Sequence, residues 1–364
     1  MASEKTDRPC HIEHGFWHET YLRWVNEGLP AVVKEPLFAY LGEQPDVFSH
    51  LGIIRNGYVL PGQYCSPLFE EEVIEETDTY RLTRDEKGVT AKHSKVGASL
   101  PQYIDYPVKS RRDYEALKER LKPSLEARYP ENWDQIAASM RNQEDVIVCT
   151  HMDGFFAYPR EIMGVENLLV MFYDDPDLMR NVIDDRCEFY KQVYEKAIRD
   201  TQPDYAFIWE DMAFKNGPLV SPAIFREFLL PAYKELTSFI KSMGVKNIIV
   251  DSDGDVSRLI PLWLEGGVTG ALPFEVKAGM DVVKIAEEFP TLQIIGGINK
   301  HALEKTKADI NAELQRVLPA MLARGGYAVS LDHWVQPEIP LENFEYYTEQ
   351  IRSFDCREVA HASG

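Results

Sequence analysis

The chain has 364 residues, of which 45% are hydrophobic, and carries a formal net charge of −20 from 39 basic and 59 acidic side chains. Such an excess of acid argues against a nucleic-acid or anionic-membrane surface, since both need basic patches. The length admits two domains or one α/β barrel, with ample chain for a large core.

Five scattered cysteines (Cys10, Cys65, Cys149, Cys187, Cys356) include no C-x-x-C pair, so reduced thiols in a cytoplasm are expected. Met1 to Pro9 is charged and lacks an apolar core, so no secretory signal is expected there. No apolar run approaches the ~18 to 20 residues needed to span a bilayer. The expectation is a soluble, cytoplasmic protein.

Phe16 to Asn26 spaces its aromatics on one helix face, and Gly28 ends it. Leu51 to Pro61 reads as a short strand. Tyr80 to Arg84 and Val89 to Lys95 flank a turn and read as a hairpin. Arg111 to Leu121 is a short charged helix. Residues 1–145 are otherwise irregular and read as decoration plus the first strands of one domain spanning residues 1–364.

From Val146 the chain is regular. Val146 to Thr150 is a strand ending at His151 and Asp153. Asp175-Pro176 opens a long helix that buries Leu178, Val182, Cys187, Tyr190, Val193 and Ala197. Tyr205 to Trp209 is a strand ending in Glu210 and Asp211. Ser221-Pro222 opens a helix that Pro231 should kink or interrupt. Lys246 to Val250 ends in Asp251, Asp253 and Asp255. A helix follows over Val256 to Glu265. Thr269 to Leu272 ends at Glu275, Gln293 to Gly296 at Asn299 and Lys300, and Tyr327 to Ser330 at Asp332 and His333. Helices over Ala308 to Arg324 and Pro340 to Arg352 complete the series.

Strict strand–helix alternation implies a parallel sheet with right-handed crossovers. No glycine-rich phosphate turn follows the first strand, which disfavours an open doubly wound sheet. The expected fold is therefore α/β, a distorted (β/α)8 TIM barrel whose missing strands lie in the first 145 residues. A barrel builds its site at the carboxyl ends of its strands. This chain puts His151, Asp153, Glu210, Asp211, Asp251, Asp253, Glu275, Asn299, Asp332 and His333 at those ends. Acids crowd together only with a cation, a shared proton or solvent to relieve them. Any one of these residues could be a solvated loop cap; together they point to a metal-binding or proton-transferring pocket.

Several stretches carry a family likeness: Trp209-Glu-Asp-Met-Ala-Phe-Lys-Asn-Gly217, Ser221-Pro-Ala-Ile-Phe225, Asp251-Ser-Asp-Gly254, Gly296-Gly-Ile-Asn299, and Gly326-Tyr-Ala-Val-Ser-Leu-Asp-His333 with Pro337 and Pro340-Leu-Glu-Asn343. Through them the chain resembles the uroporphyrinogen decarboxylase superfamily, in its branch of decarboxylase-like proteins and corrinoid-linked methyltransferases. The resemblance implies a distorted (β/α)8 barrel. True uroporphyrinogen decarboxylases carry an arginine-rich amino-terminal segment for the substrate's carboxylates, and this chain has none, which speaks against that substrate. Methyltransferases of the superfamily bind zinc through a His-x-Cys pair and a later Cys. The matching positions here are Asp251 and Asp253, aligned by the following glycine, and His333, aligned by the proline-rich segment. An Asp/Asp/His set is harder and richer in oxygen, yet able to hold zinc, manganese or iron.

The leading expectation from the resemblance is a cobalamin-linked methyltransferase of the O-demethylase kind, with cobalamin carried on a partner protein. It would use a divalent metal, zinc foremost, on Asp251, Asp253 and His333. Glu210, Asp211 and His151 would be catalytic. Trp209, Trp334 and Asn299 would contact a small methoxy substrate, and Leu60 to Phe69 would form the rim of the mouth. The alternatives are a decarboxylase or other lyase acting on a smaller acid, and a non-catalytic corrinoid- or ligand-binding module.

Overall fold

The computed structural model describes residues 8–34, 46–96, 101–142 and 146–356. Seven strands form one parallel sheet, hydrogen-bonded in chain order: β1 (Arg55–Val59), β2 (Val146–Asp153), β3 (Tyr205–Trp209), β4 (Asn247–Asp251), β5 (Gly270–Leu272), β6 (Gln293–Ile295) and β7 (Tyr327–Ala328). The amino-terminal segment closes the two edges. His11 bridges Val329 and Ile12 bridges Ile54, both in parallel sense. The Ile12 N–H donates to the Val329 carbonyl at 3.0 Å and the Ile54 N–H to the His11 carbonyl at 3.0 Å. This short eighth stave removes both sheet edges and makes a closed TIM barrel.

The apolar runs of the strands divide between two cores. Tyr205, Phe207, Ile249, Leu272, Ile295 and Ala328 face the barrel interior with Ile12, Tyr58 and Cys149. Their neighbours Ala206, Ile208, Ile248 and Val250 pack outward, in the layer shared with the helices. Burial on both faces explains why these strands lack polar alternation.

The helices begin and break where their prolines allow. The Asp175 carboxylate caps Pro176–Thr201 by accepting from the Leu178 N–H at 3.0 Å. Ser221 caps Pro222–Ile224, and a π-helical turn over Phe225–Leu229 precedes Leu230–Ser242. Pro231, which has no N–H to donate, lies just beyond that break, as the sequence leads one to expect. The helix expected over Val256 to Glu265 begins only at Ile260, where Pro261 occupies the first turn.

The hairpin of Tyr80–Arg84 and Thr90–Ser94 belongs to a four-stranded antiparallel sheet completed by Glu72–Glu76 and Gln102–Asp105. Its turn returns to the barrel, because the Phe69 N–H donates to the Glu86 carbonyl at 2.9 Å. There the Lys87 ammonium stands 4.0 Å above the centre of the Tyr64 ring. All five cysteines are free thiols. No helix among the described residues is long and apolar enough to cross a membrane.

Candidate metal and acid site

Register fixes which side chains meet at the mouth. Trp209 is in register with Asp153 on one side and Asp251 on the other, and Asp251 with Leu272. One row below, Phe207 is in register with His151 and Ile249. Partners in register on parallel strands share a face, so the apolar filling of the barrel gives way to carboxylates one row higher.

Beyond that row, three loops bring Asp253, Glu275 and His333 together. Each offers one ligand atom, and these atoms all lie within 4.8 Å of one another. His333 Nε2 is 3.4 Å from Asp253 Oδ2, while its Nδ1 is buried without a hydrogen-bond partner among the described residues. The Gly254 N–H donates to Glu275 Oε2 at 3.0 Å and orients that carboxylate. Gly254 has φ +83°, and a Cβ there would lie 2.7 Å from the Ala213 carbonyl oxygen, so this turn requires glycine. Burial opposes protonation of His333, but its contact with Asp253 more than offsets this and raises its pKa above the usual value.

His14, which sequence reasoning passed over, follows the closing stave and feels the charges of Asp253 and His333. Its Nε2 is buried without a hydrogen-bond partner among the described residues. Burial pushes its pKa down to about 4, against the pull of Glu13 and Asp253 and with the help of His333. It is therefore a neutral imidazole within electrostatic reach of both His333 and Asp253. No local motif marks it; the signal is the two-residue stave itself, which only the closed barrel reveals.

Two further acids lie beside the cluster. Burial holds the Asp251 carboxyl well above the carboxylate range, and the charges of Asp211 and Asp253 push it the same way. Burial and Asp253 also raise the Asp211 pKa, against Arg160. Asp211 sits in the left-handed region at φ 48°. Arg160 holds it there by donating to its carbonyl at 2.7 Å, with its other nitrogen 3.7 Å from the carboxylate. The same guanidinium lies 4.8 Å from the centre of the Trp209 ring.

The structure revises several expected roles. The converging trio contains Glu275 where Asp251 was expected, because Asp251 lies one row deeper and is not among the converging atoms. Glu210 faces away from the mouth and is fully buried. Its carboxylate accepts from the N–H groups of Phe155, Phe156 and Ala157 at 3.0, 2.8 and 2.9 Å and from the Tyr233 hydroxyl. It anchors the loop after β2 and has no face toward substrate. Asn299 spends its side-chain oxygen on the His301 N–H at 3.1 Å, as the cap of helix Lys300–Leu303.

Asp332 is likewise a cap, accepting from the Val276 and Lys300 N–H groups at 2.9 and 3.0 Å. His151 stands apart from the cluster, its Nδ1 3.9 Å from Asp153 and its ring 5.0 Å from Phe207. Trp334 is partly exposed beside His333, with its ring 5.3 Å from that of Trp17. The Leu60 to Phe69 segment does reach this end of the barrel: Gln63 Nε2 donates to Asp153 at 3.1 Å, and the Tyr64 hydroxyl donates to the same carboxylate.

A family model described as uroporphyrinogen decarboxylase (URO-D) matches residues 91–354. A methyltransferase from Methanosarcina mazei aligns over 96% of this chain and 94% of its own, at 16% identity and a TM-score of 0.57, a likeness of fold. The 3-keto-D-glucoside 4-epimerase from E. coli aligns over 62% of this chain and 96% of its own, at 10% identity and a TM-score of 0.36, too slight to place any residue. No curated protein matches the chain by sequence.

Proposed function

Since the chain belongs to the uroporphyrinogen decarboxylase (URO-D) family, we propose that it is a methyltransferase acting on a small methyl ether, with the methyl group passed to a corrinoid on a separate protein. The observation that carries this reading is the convergence of Asp253, Glu275 and His333 within 4.8 Å. Two carboxylates and an imidazole suit a divalent ion, zinc first, and leave positions for a substrate oxygen. An ion bound there would supply Lewis acidity toward an ether or phenolic oxygen.

The chain's own groups supply the rest. Asp253, Glu275 and His333 would hold the ion, and His333, whose pKa is raised, would have to lose its proton first. Burial, and then the charges of Asp211 and Asp253, raise the Asp251 pKa well above the ordinary value, which favours its neutral form as a proton donor. When the methyl carbon–oxygen bond breaks, the oxygen keeps the bonding pair and takes a proton from Asp251 or Asp211. Arg160 positions Asp211 for that task. Trp209 and the Trp17–Trp334 pair offer aromatic walls, which favours a methoxyarene over an aliphatic ether.

A decarboxylase of a small acid would use the same neutral Asp251 to protonate a carbanion, and the raised pKa is the observation in its favour. Against it, the substrate carboxylate would face Asp253 and Glu275. The adjacent cation, Lys300, is already shared between Glu275 and Asp332 at 3.8 Å each. The two readings part in one experiment: incubation with reduced corrinoid protein and a panel of methoxy compounds. Phenol release coupled to corrinoid methylation, lost in His333→Ala, is expected. Carbon dioxide release from a small acid without corrinoid would overturn the proposal.

A further inference from the structure

Outside the barrel, a cavity of about 400 Å3 lies between helix Arg111–Lys118, with the turn that follows it, and the long helix Pro176–Thr201. Its lining includes Tyr114, Leu121, Tyr158, Arg186, Phe189 and Gln192. Arg186 is 3% exposed and Tyr158 1% exposed, so both belong to its depth.

Arg186 is a buried charge that makes its hydrogen bonds to neutral groups among the described residues, and the one acid whose charge acts on it, Asp153, stands behind Gln63. Its Nη1 donates to the Gln63 carbonyl at 2.5 Å and its Nη2 to the Gln63 side-chain oxygen at 3.2 Å. Its Nε has no hydrogen-bond partner among the described residues, and neither has the Tyr158 hydroxyl, over whose ring the guanidinium stacks at 3.8 Å. A second buried guanidinium adds to the imbalance. Arg128 gives its donors to the main-chain carbonyls of Gly62, Tyr64, Arg120 and Lys122. It lies 4.9 Å from the centre of the Phe189 ring, with Arg186 5.0 Å from the same centre. Buried charges are ordinarily paired, and buried donors ordinarily find acceptors.

The missing partner has the chemistry of a carboxylate: negative charge, two acceptor oxygens, and a plane that continues into aromatic walls. Of the four acids that line the cavity, Glu115, Glu119, Asp185 and Glu188, three are already answered by lysines. Asp185 pairs with Lys118 at 2.7 Å, Glu119 with Lys122 at 2.5 Å and Glu188 with Lys191 at 2.7 Å. The volume falls within the range of small-molecule sites.

We propose that this cavity is a second ligand site, for a small planar monocarboxylate, with the carboxylate directed at Arg186 and Tyr158 and the ring lying against Tyr114 and Phe189. The site is joined to the barrel mouth, because the Gln63 held by Arg186 also exchanges two hydrogen bonds with Asp153, each 3.1 Å. It is nonetheless separate from the Asp253 cluster and independent of the reaction proposed there.

The test titrates the full chain at neutral pH with benzoate and with benzamide, its neutral counterpart, read by calorimetry and saturation-transfer NMR. Benzoate should bind once per chain with a dissociation constant below about 1 mM, and benzamide at least about tenfold more weakly. Arg186→Lys keeps the charge but removes the Nε donor and should weaken benzoate about tenfold. Gln192→Trp, at an exposed position of the long helix, should fill the cavity and abolish binding, whereas His333→Ala should leave it unchanged. The proposal is overturned if benzoate does not bind, if benzamide binds equally well, or if His333→Ala rather than Gln192→Trp removes the site. If Arg186→Lys does not fold, the benzamide comparison and Gln192→Trp decide the matter.

Discussion

Replacing Glu210 separates a scaffolding acid from a chemical one. Its carboxylate takes three main-chain N–H groups and the Tyr233 hydroxyl while fully buried. The wrapping is close: a Cβ on Gly154 would lie 2.0 Å from the carboxyl carbon. Glu210→Ala leaves four buried donors without an acceptor, each costing about 1 to 3 kcal/mol. Entry of water offsets part of this, so the low end, about 4 kcal/mol in all, is expected. Glu210→Gln keeps one acceptor oxygen but turns an NH2 toward the donors on the other, and should lose about half as much. For a chain of 364 residues the unfolding entropy is roughly 0.8 kcal/mol/K, so Ala lowers Tm by about 5 °C and Gln by about 2 to 3 °C. Thermal unfolding of the metal-free protein, followed by near-UV circular dichroism, measures both, and zinc titration of the folded variants should give wild-type stoichiometry. The reasoning is refuted if Glu210→Gln leaves Tm untouched yet abolishes metal binding or turnover, since Glu210 would then act chemically.

Three other outcomes follow from the site. His333→Ala should abolish zinc binding by calorimetry while shifting the metal-free Tm by only about 1 °C, because a partly exposed ion pair is worth about 0 to 1 kcal/mol; a fall of 5 °C or more would mean that the residue is structural. The raised His333 pKa means that its proton is held to higher pH than usual and must leave before the ring can ligate. Zinc affinity should therefore rise as pH increases through neutrality with release of about one proton per ion, and a flat profile would exclude His333 as a ligand. The folded-state pKa of Asp251 lies above its unfolded value, so its contribution to stability is complete below about pH 4 and is lost as pH climbs toward the folded value. Metal-free Asp251→Asn should accordingly match the wild type near pH 4 and exceed it at pH 7; parallel stability curves would show that Asp251 ionises normally.

The strands that were legible are those with two buried faces. Ile248 to Val250 and Ala206 to Ile208 are apolar on consecutive positions because one residue enters the barrel and the next meets a helix, and their acids mark where the barrel ends. The closing stave at His11 and Ile12 was illegible for the converse reason: two bridging residues carry no period. Glu72–Glu76 escaped as well, since every residue of that strand is exposed and no core imprints an alternation. At the site, adjacent acids with the same composition have opposite fates. Glu210 and Asp211 follow the same strand, yet one turns outward into a nest of amides and the other is held at φ 48° over the mouth. Composition gives both the same weight, and only the path of the loop separates them. Likewise Glu275 reaches the cluster through a backbone that passes Phe274 at φ 64°, a turn that no local residue preference announces.

Cys149, which faces the barrel interior, has its thiol pushed up to about 12 by burial, and burial raises that of Cys10 too, so neither is a thiolate at neutral pH. The groups that do converge are carboxylates and imidazoles. Depth separates the acids. Asp253 and Glu275 lie at the partly exposed rim and have N–H or imidazole partners. Asp251, one row deeper, has its pKa pushed up by burial and then by the charges of Asp211 and Asp253. Two carboxylates and an imidazole above a deeper acid of raised pKa are the arrangement on which the methyl-ether proposal rests, since an oxygen leaving group needs both a Lewis acid and a proton donor.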